Sequence, residues 1–95
     1  MFAYAIVTVE VTNPERFKDY TDKTPALLAK YGGRFLARGG NVETMEGAEE
    51  TRRVVLIEFP SREKALELYH SDEYQPLLKI IGESAIRDFI IVDGV

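Results

Sequence analysis

A strand that is apolar on both sides needs cover on both sides, and residues 3 to 11 of this chain spell one. The segment Ala-Tyr-Ala-Ile-Val-Thr-Val-Glu-Val sets Ala3, Ala5, Val7, Val9 and Val11 against Tyr4, Ile6, Thr8 and Glu10, an alternation whose period of two sends each set to its own sheet face. Arg53 to Phe59 (Arg-Val-Val-Leu-Ile-Glu-Phe) and a last strand, Ile86 to Val92, are also largely apolar. Broad apolar faces are rarely left to water, so whatever packs on these strands decides the architecture.

Two helical regions are available to do so. Asn13-Pro14-Glu15 offers an N-cap acceptor, a first-turn proline and an acid at the positive end of the helix dipole. The apolar stripe Phe17, Tyr20, Thr24, Leu27, Leu28, Tyr31 follows, and Gly32-Gly33 stops it. Pro25 falls inside this stripe without changing its phase, which predicts one helix, kinked or briefly broken. Ser61 caps a second region with Ala65, Leu66 and Tyr69 inward. It restarts at Ser71-Asp72 with Tyr74, Leu77, Leu78 and Ile81, and Gly82 is expected to end it. Between the two regions, Arg34 to Arg38 reads as a strand, Gly39-Gly40 as a bulge and Asn41 to Glu46 as the continuation of that strand.

The order β, α, β, β, α, β predicts an α+β domain of ferredoxin-like type, with a four-stranded antiparallel sheet and the helices on one face. The other face, with Tyr4 and Ile6 on it, then lacks cover. A second copy of the chain is the simplest cover, which predicts a homodimer.

The 95 residues fit one domain, 1–95. With 16 acidic against 12 basic side chains and a net charge of −4, the chain carries no basic surface suited to nucleic acid. No apolar run is long enough for a membrane-spanning helix. There are no cysteines and one histidine, so no zinc site, no other metal and no cofactor are expected. A cytoplasmic location is the default expectation.

Candidate chemistry is sparse. Glu58 interrupts an apolar strand; burial would raise its pKa and a neighbouring arginine such as Arg38 would lower it, and either state suits a catalytic base. The same residue also reads as half of a structural ion pair. His70, the lone histidine, is a candidate alternative base, or simply a favourable charge at a helix C-terminus. Tyr4, Tyr20, Tyr31, Tyr69 and Tyr74 could line a pocket as hydrogen-bond donors in apolar walls, or fill the core. Tyr4 and Tyr74, with Arg38 as anion stabiliser and Asn41 beyond the expected bulge, complete the candidate substrate-binding set.

Several segments together resemble the family called domain of unknown function 1330, within the dimeric α+β barrel superfamily. They are Asn13-Pro14-Glu15, Tyr31-Gly32-Gly33-Arg34-Phe35-Leu36, Arg38-Gly39-Gly40, Glu58-Phe59-Pro60-Ser61 and Tyr69-His70-Ser71-Asp72-Glu73-Tyr74-Gln75. The resemblance implies a dimeric barrel and no established activity. Similar sequences tend to carry arginine where this chain has Ile81, so its role is either absent here or supplied by Arg38 or Arg87. The wider superfamily includes cofactor-independent monooxygenases and isomerases. The expected function is therefore binding of a hydrophobic or aromatic small molecule, with cofactor-free monooxygenase- or isomerase-like chemistry. The alternative is a non-catalytic dimeric ligand-binding or assembly module.

Overall fold

A computed structural model describes residues Met1–Val95. The elements run β1 (Ala3–Val11), α1 (Pro14–Lys30), β2 (Arg34–Arg38), β3 (Arg53–Phe59), α2 (Arg62–His70), α3 (Gln75–Ser84) and β4 (Ala85–Asp93). The strands form one antiparallel sheet in the order β2-β3-β1-β4, the ferredoxin-like arrangement.

Strand parity assigns the faces. Ala3, Ala5, Val7 and Val9 are buried under the helices, and the register places Phe59, Ile57, Val55 and Arg53 of β3 and Asp93, Ile91, Phe89 and Arg87 of β4 beside them. Leu27 and Leu28 of α1, Ala65 and Leu68 of α2, and Leu77 and Ile80 of α3 close this core. Leu66 points away, since positions three and four apart share a helix face and Leu68 and Tyr69 take the inward places beside Ala65. The opposite face carries Tyr4, Ile6, Leu56, Ile90 and Val92 with no element over it.

Helix α1 is unbroken through Pro25. It starts on the side chain of Asn13, which accepts from the Arg16 N–H at 3.2 Å, and it ends in a Schellman turn. There the Gly33 N–H donates to the Leu28 carbonyl and the Gly32 N–H to that of Ala29. Gly32 has φ +78°, and a Cβ there would meet the Pro60 ring at 2.7 Å, so glycine is required at this stop.

Three expected features differ. The bulge lies at Leu36, between the registered residues Phe35 and Ala37, and not at Gly39-Gly40. Asn41 to Glu46 forms a loop, because after Arg38 pairs with Val55 and Gly39 bonds the Val54 carbonyl, β3 has no more strand to offer. Gly82 does not end α3, which continues to Ser84. The buried Ser84 hydroxyl donates to the Ile80 carbonyl at 2.6 Å, and the Ser84 carbonyl accepts from the N–H groups of Thr12 and Asn13. That last turn is thus tied to the end of β1, and β4 follows at once.

Candidate functional site

The bulge at Leu36 has a chemical consequence. In a regular strand, Phe35 and Arg38 would face opposite ways; the extra residue puts both on the helix side. There they join a pocket whose floor is Val7, Val9, Val55 and Ile57 and whose walls include Phe17 and Phe89. The space is about 50 Å³. That is below the ~150 Å³ that takes up a benzene ring in a closed cavity, so the enclosed space has room for a small polar group and not for a whole ring.

Three polar side chains meet in this apolar setting. Tyr20 comes from α1, Tyr74 from the N-cap of α3 and Arg87 from β4, and all three line the pocket. The two phenol oxygens lie 2.6 Å apart, and Arg87 donates from Nη1 to Tyr20 at 3.1 Å and from Nη2 to Tyr74 at 3.0 Å. The guanidinium also stacks on the rings of Tyr20 and Phe89.

The proton count follows from these bonds. Both oxygens accept from Arg87, and one phenol hydrogen bridges the pair, so the other O–H has no protein acceptor and is free for a ligand. Tyr74 is 2% exposed. Burial raises its pKa well above the ordinary phenol value, Tyr20 adds to the rise and Arg87 opposes it, so it is a neutral donor and a poor base. Burial works against the Arg87 charge, but the two phenols outweigh it and its pKa is raised. The inner end of the pocket is therefore a cluster of donors suited to an oxygen acceptor, above all an oxyanion.

The family model described as a domain of unknown function, DUF1330, matches residues 2–95. The chain belongs to that family. No curated protein matches it. Among solved structures, a protein of unknown function from Rhodopseudomonas palustris is similar to this DUF1330 chain at TM-score 0.82 and 15% identity, covering 99% of this chain and 82% of that one. SnoaB, a cofactor-independent oxygenase from Streptomyces nogalater, is similar at TM-score 0.71 and 12% identity over 99% and 93%. A dimeric protein of unknown function and ferredoxin-like fold from Bacteroides fragilis is similar at TM-score 0.65 and 19% identity over 98% and 96%. At these identities the likeness is one of fold.

The residues expected from sequence divide into groups in the DUF1330 structure. Arg38 and Tyr74 both line the pocket. Glu58 and Tyr4 are cross-strand neighbours on the open face of the sheet, where Glu58 accepts from Arg34 Nε at 2.8 Å. His70 is exposed at the end of α2 against the Tyr69 ring, and Asn41 is exposed in the loop after β2. The two candidate bases, Glu58 and His70, thus share no cavity, and neither lines the pocket. Parity separates them: Glu58 follows Val54 and Leu56 onto the open face, whereas α2 packs on the other.

Tyr20, one of the five tyrosines weighed as pocket-lining, and Arg87, weighed as a stand-in for the arginine absent at Ile81, both line the pocket, and Arg53 is a charged lining residue that the sequence reading did not weigh. The signal for Arg87 was its place two residues before Phe89, which puts both on one face. No group of three or more His, Cys, Asp or Glu side chains is placed to hold a metal ion. No helix is long and apolar enough to cross a membrane.

Proposed function

We propose that this protein binds a hydrophobic small molecule in the pocket under α1 and stabilises an oxyanion on it, as a cofactor-free enzyme of monooxygenase or isomerase type. One observation carries the reading: Arg87 and two phenols converge, hydrogen-bonded, inside an otherwise apolar cavity. An enol or phenol whose oxygen met this cluster would ionise more readily, because the resulting anion gains a guanidinium and a free phenol O–H in a partly desolvated site. The proton passes to water, since the pocket holds no base. The enolate then takes a proton from water at carbon to give the keto isomer, or gives two electrons to dioxygen as a C–O bond forms, the resulting peroxide taking its proton from water. The fold likeness to a cofactor-independent oxygenase supports the same reading.

The test uses 4-nitrophenol, which absorbs in the visible only as its phenolate. Wild-type protein should bind it and shift its ionisation to lower pH, and Arg87→Met should abolish the shift. Absence of binding by the wild type would overturn the reading. A second reading, a non-catalytic binding module, is favoured by the absence of any carboxylate or imidazole among the pocket residues. It predicts binding without turnover of ionisable enols.

The second part of the proposal is a homodimer formed through the open face of the sheet, with Tyr4, Ile6, Leu56 and Ile90 at its centre. Ile86, Ile90 and Val92 on that face are 64%, 57% and 46% exposed in the single chain, an apolar surface that a second copy would cover.

A further inference from the structure

Arginine pairing in this protein divides by location. Arg16, Arg34, Arg52 and Arg62 lie away from the pocket, and each holds a carboxylate at 2.8 to 2.9 Å. The other three, Arg38, Arg53 and Arg87, all line the pocket, and none has a carboxylate within the 4.0 Å of an ion pair. Partners are not scarce in a chain with 16 acidic residues and a net charge of −4. No Asp or Glu lines the pocket.

Each of these guanidinium groups is held in place without being neutralised. Arg87 is fixed by the two phenols. Arg38 stacks on the Phe35 ring with its Cζ 4.6 Å from the centroid. Arg53 lies against Gly39, where a Cβ would meet the Arg53 Cζ at 2.7 Å, so the missing side chain makes its room. The sheet brings them together, since Val9 is registered with Arg53 on one side and with Arg87 on the other. Two strand spacings put those backbones about 10 Å apart across a small valine floor, and Arg38 enters from the next row through the Leu36 bulge. Positive charge held by neutral contacts around an apolar cavity is what an anionic ligand requires.

We propose that the ligand is a small organic acid bearing a second oxygen function, its carboxylate taken by Arg38 and Arg53 at the mouth and its hydroxyl or carbonyl oxygen by Tyr20, Tyr74 and Arg87 within. This rests on the reading of the pocket as the ligand site and adds the charge of what enters it. Of the two mouth arginines, Arg38 is exposed and Arg53 half-buried. They therefore meet a ligand before Arg87 does, and they decide which molecules are admitted.

The experiment compares isosteres that differ only in charge, 4-hydroxybenzoate against 4-hydroxybenzamide, and lactate against lactamide in case a ring does not enter, by NMR titration of the wild-type protein. The acid of at least one pair should bind tighter than its amide by about tenfold or more. Arg53→Gln and Arg38→Gln should each erode that preference by weakening acid binding more than amide binding, and Arg16→Gln, whose guanidinium lies away from the pocket and is already paired, should leave both unchanged. Equal binding of acid and amide, or a preference that survives both pocket variants, overturns this inference and leaves the oxyanion site standing. If neither pair nor 4-nitrophenol perturbs the pocket resonances, both readings fail together.

Discussion

Tyr20 and Tyr74, 54 positions apart in sequence, bring their hydroxyls to 2.6 Å of each other under a guanidinium that donates to both. This contact joins three elements by polar bonds inside the core: α1, the start of α3 and β4. It also fixes the direction of the site's chemistry. The cluster presents hydrogens and positive charge, and its most buried phenol is kept protonated, so it can steady a negative oxygen but cannot remove a proton.

Replacing Tyr74 with phenylalanine tests that contact. Arg87 Nη2 loses its acceptor and Tyr20 its partner, at an expected cost of about 1 to 3 kcal/mol in folding stability. The pH dependence follows from the raised folded-state pKa. The contribution of the Tyr74 phenol is fully present below its ordinary value of 10.0 and is lost as pH rises from there toward the folded-state value. Thermal unfolding of the wild type between pH 9 and 12 should show stability falling above pH 10, with a shallower fall in Tyr74→Phe.

Arg87→Met separates charge from packing. The substitution keeps most of the aliphatic bulk and leaves the two phenols bonded to each other. Loss of two hydrogen bonds is offset by removal of a partly buried charge, so stability should change by about 2 kcal/mol or less. Oxyanion binding should fall about tenfold or more. A folded variant that binds 4-nitrophenolate as the wild type does would remove Arg87 from the site.

The fold was legible because it rests on local signals. The two-residue period of β1, the apolar run of β3, the Asn13 and Ser61 caps and the Gly32-Gly33 stop each act within a few residues. The site was less so. Tyr74 and Arg38 were read as ligand contacts, but Arg38 reaches the pocket by a bulge at Leu36, whereas the glycine signal pointed to Gly39-Gly40. Glu58 drew attention as a charge in an apolar strand, and only the register shows that its face is the one away from the helices. The Tyr20, Tyr74 and Arg87 cluster joins three distant segments, and no spacing rule within one element reveals such a meeting.

The loop after β2 is anchored by charge. Glu50 accepts from the Arg52 backbone and guanidinium, and Arg52 also reaches Asp88 of β4 at 2.8 Å. These bonds hold the Glu50 carboxyl down to about 2 from the usual 4.5. The contribution of a depressed carboxylate is present above its ordinary value and lost as pH falls toward the folded-state one. Residues 41 to 51 should therefore loosen below about pH 4.5, seen as faster amide exchange there, while β1 and β3 stay protected. A Glu50 titration midpoint near 4.5 by NMR would refute the anchoring.

Ile6→Asp tests the proposed dimer. Ile6 lies on the central strand β1, between Leu56 on β3 and Ile90 on β4, so it occupies the middle of the uncovered face and touches no part of the helix-side core. Within one chain the change costs about 1 kcal/mol, because the half-buried Ile6 loses its cross-strand contacts with Leu56 and Ile90 and aspartate is a poor strand residue. In a two-fold assembly the same position recurs on the partner's face, and two carboxylates would be buried without counter-charges, at a cost of several kcal/mol. Burial of ~1,000 Å² of apolar surface gives of order 25 kcal/mol gross, much of it offset by association and ordering costs, so such a penalty should turn a stable pair into monomer. Sedimentation at micromolar concentration should show wild-type dimer and variant monomer, the latter with intact far-ultraviolet circular dichroism. A well-folded wild-type monomer at that concentration would mean that the open face is tolerated by water, and the assembly proposal would fall.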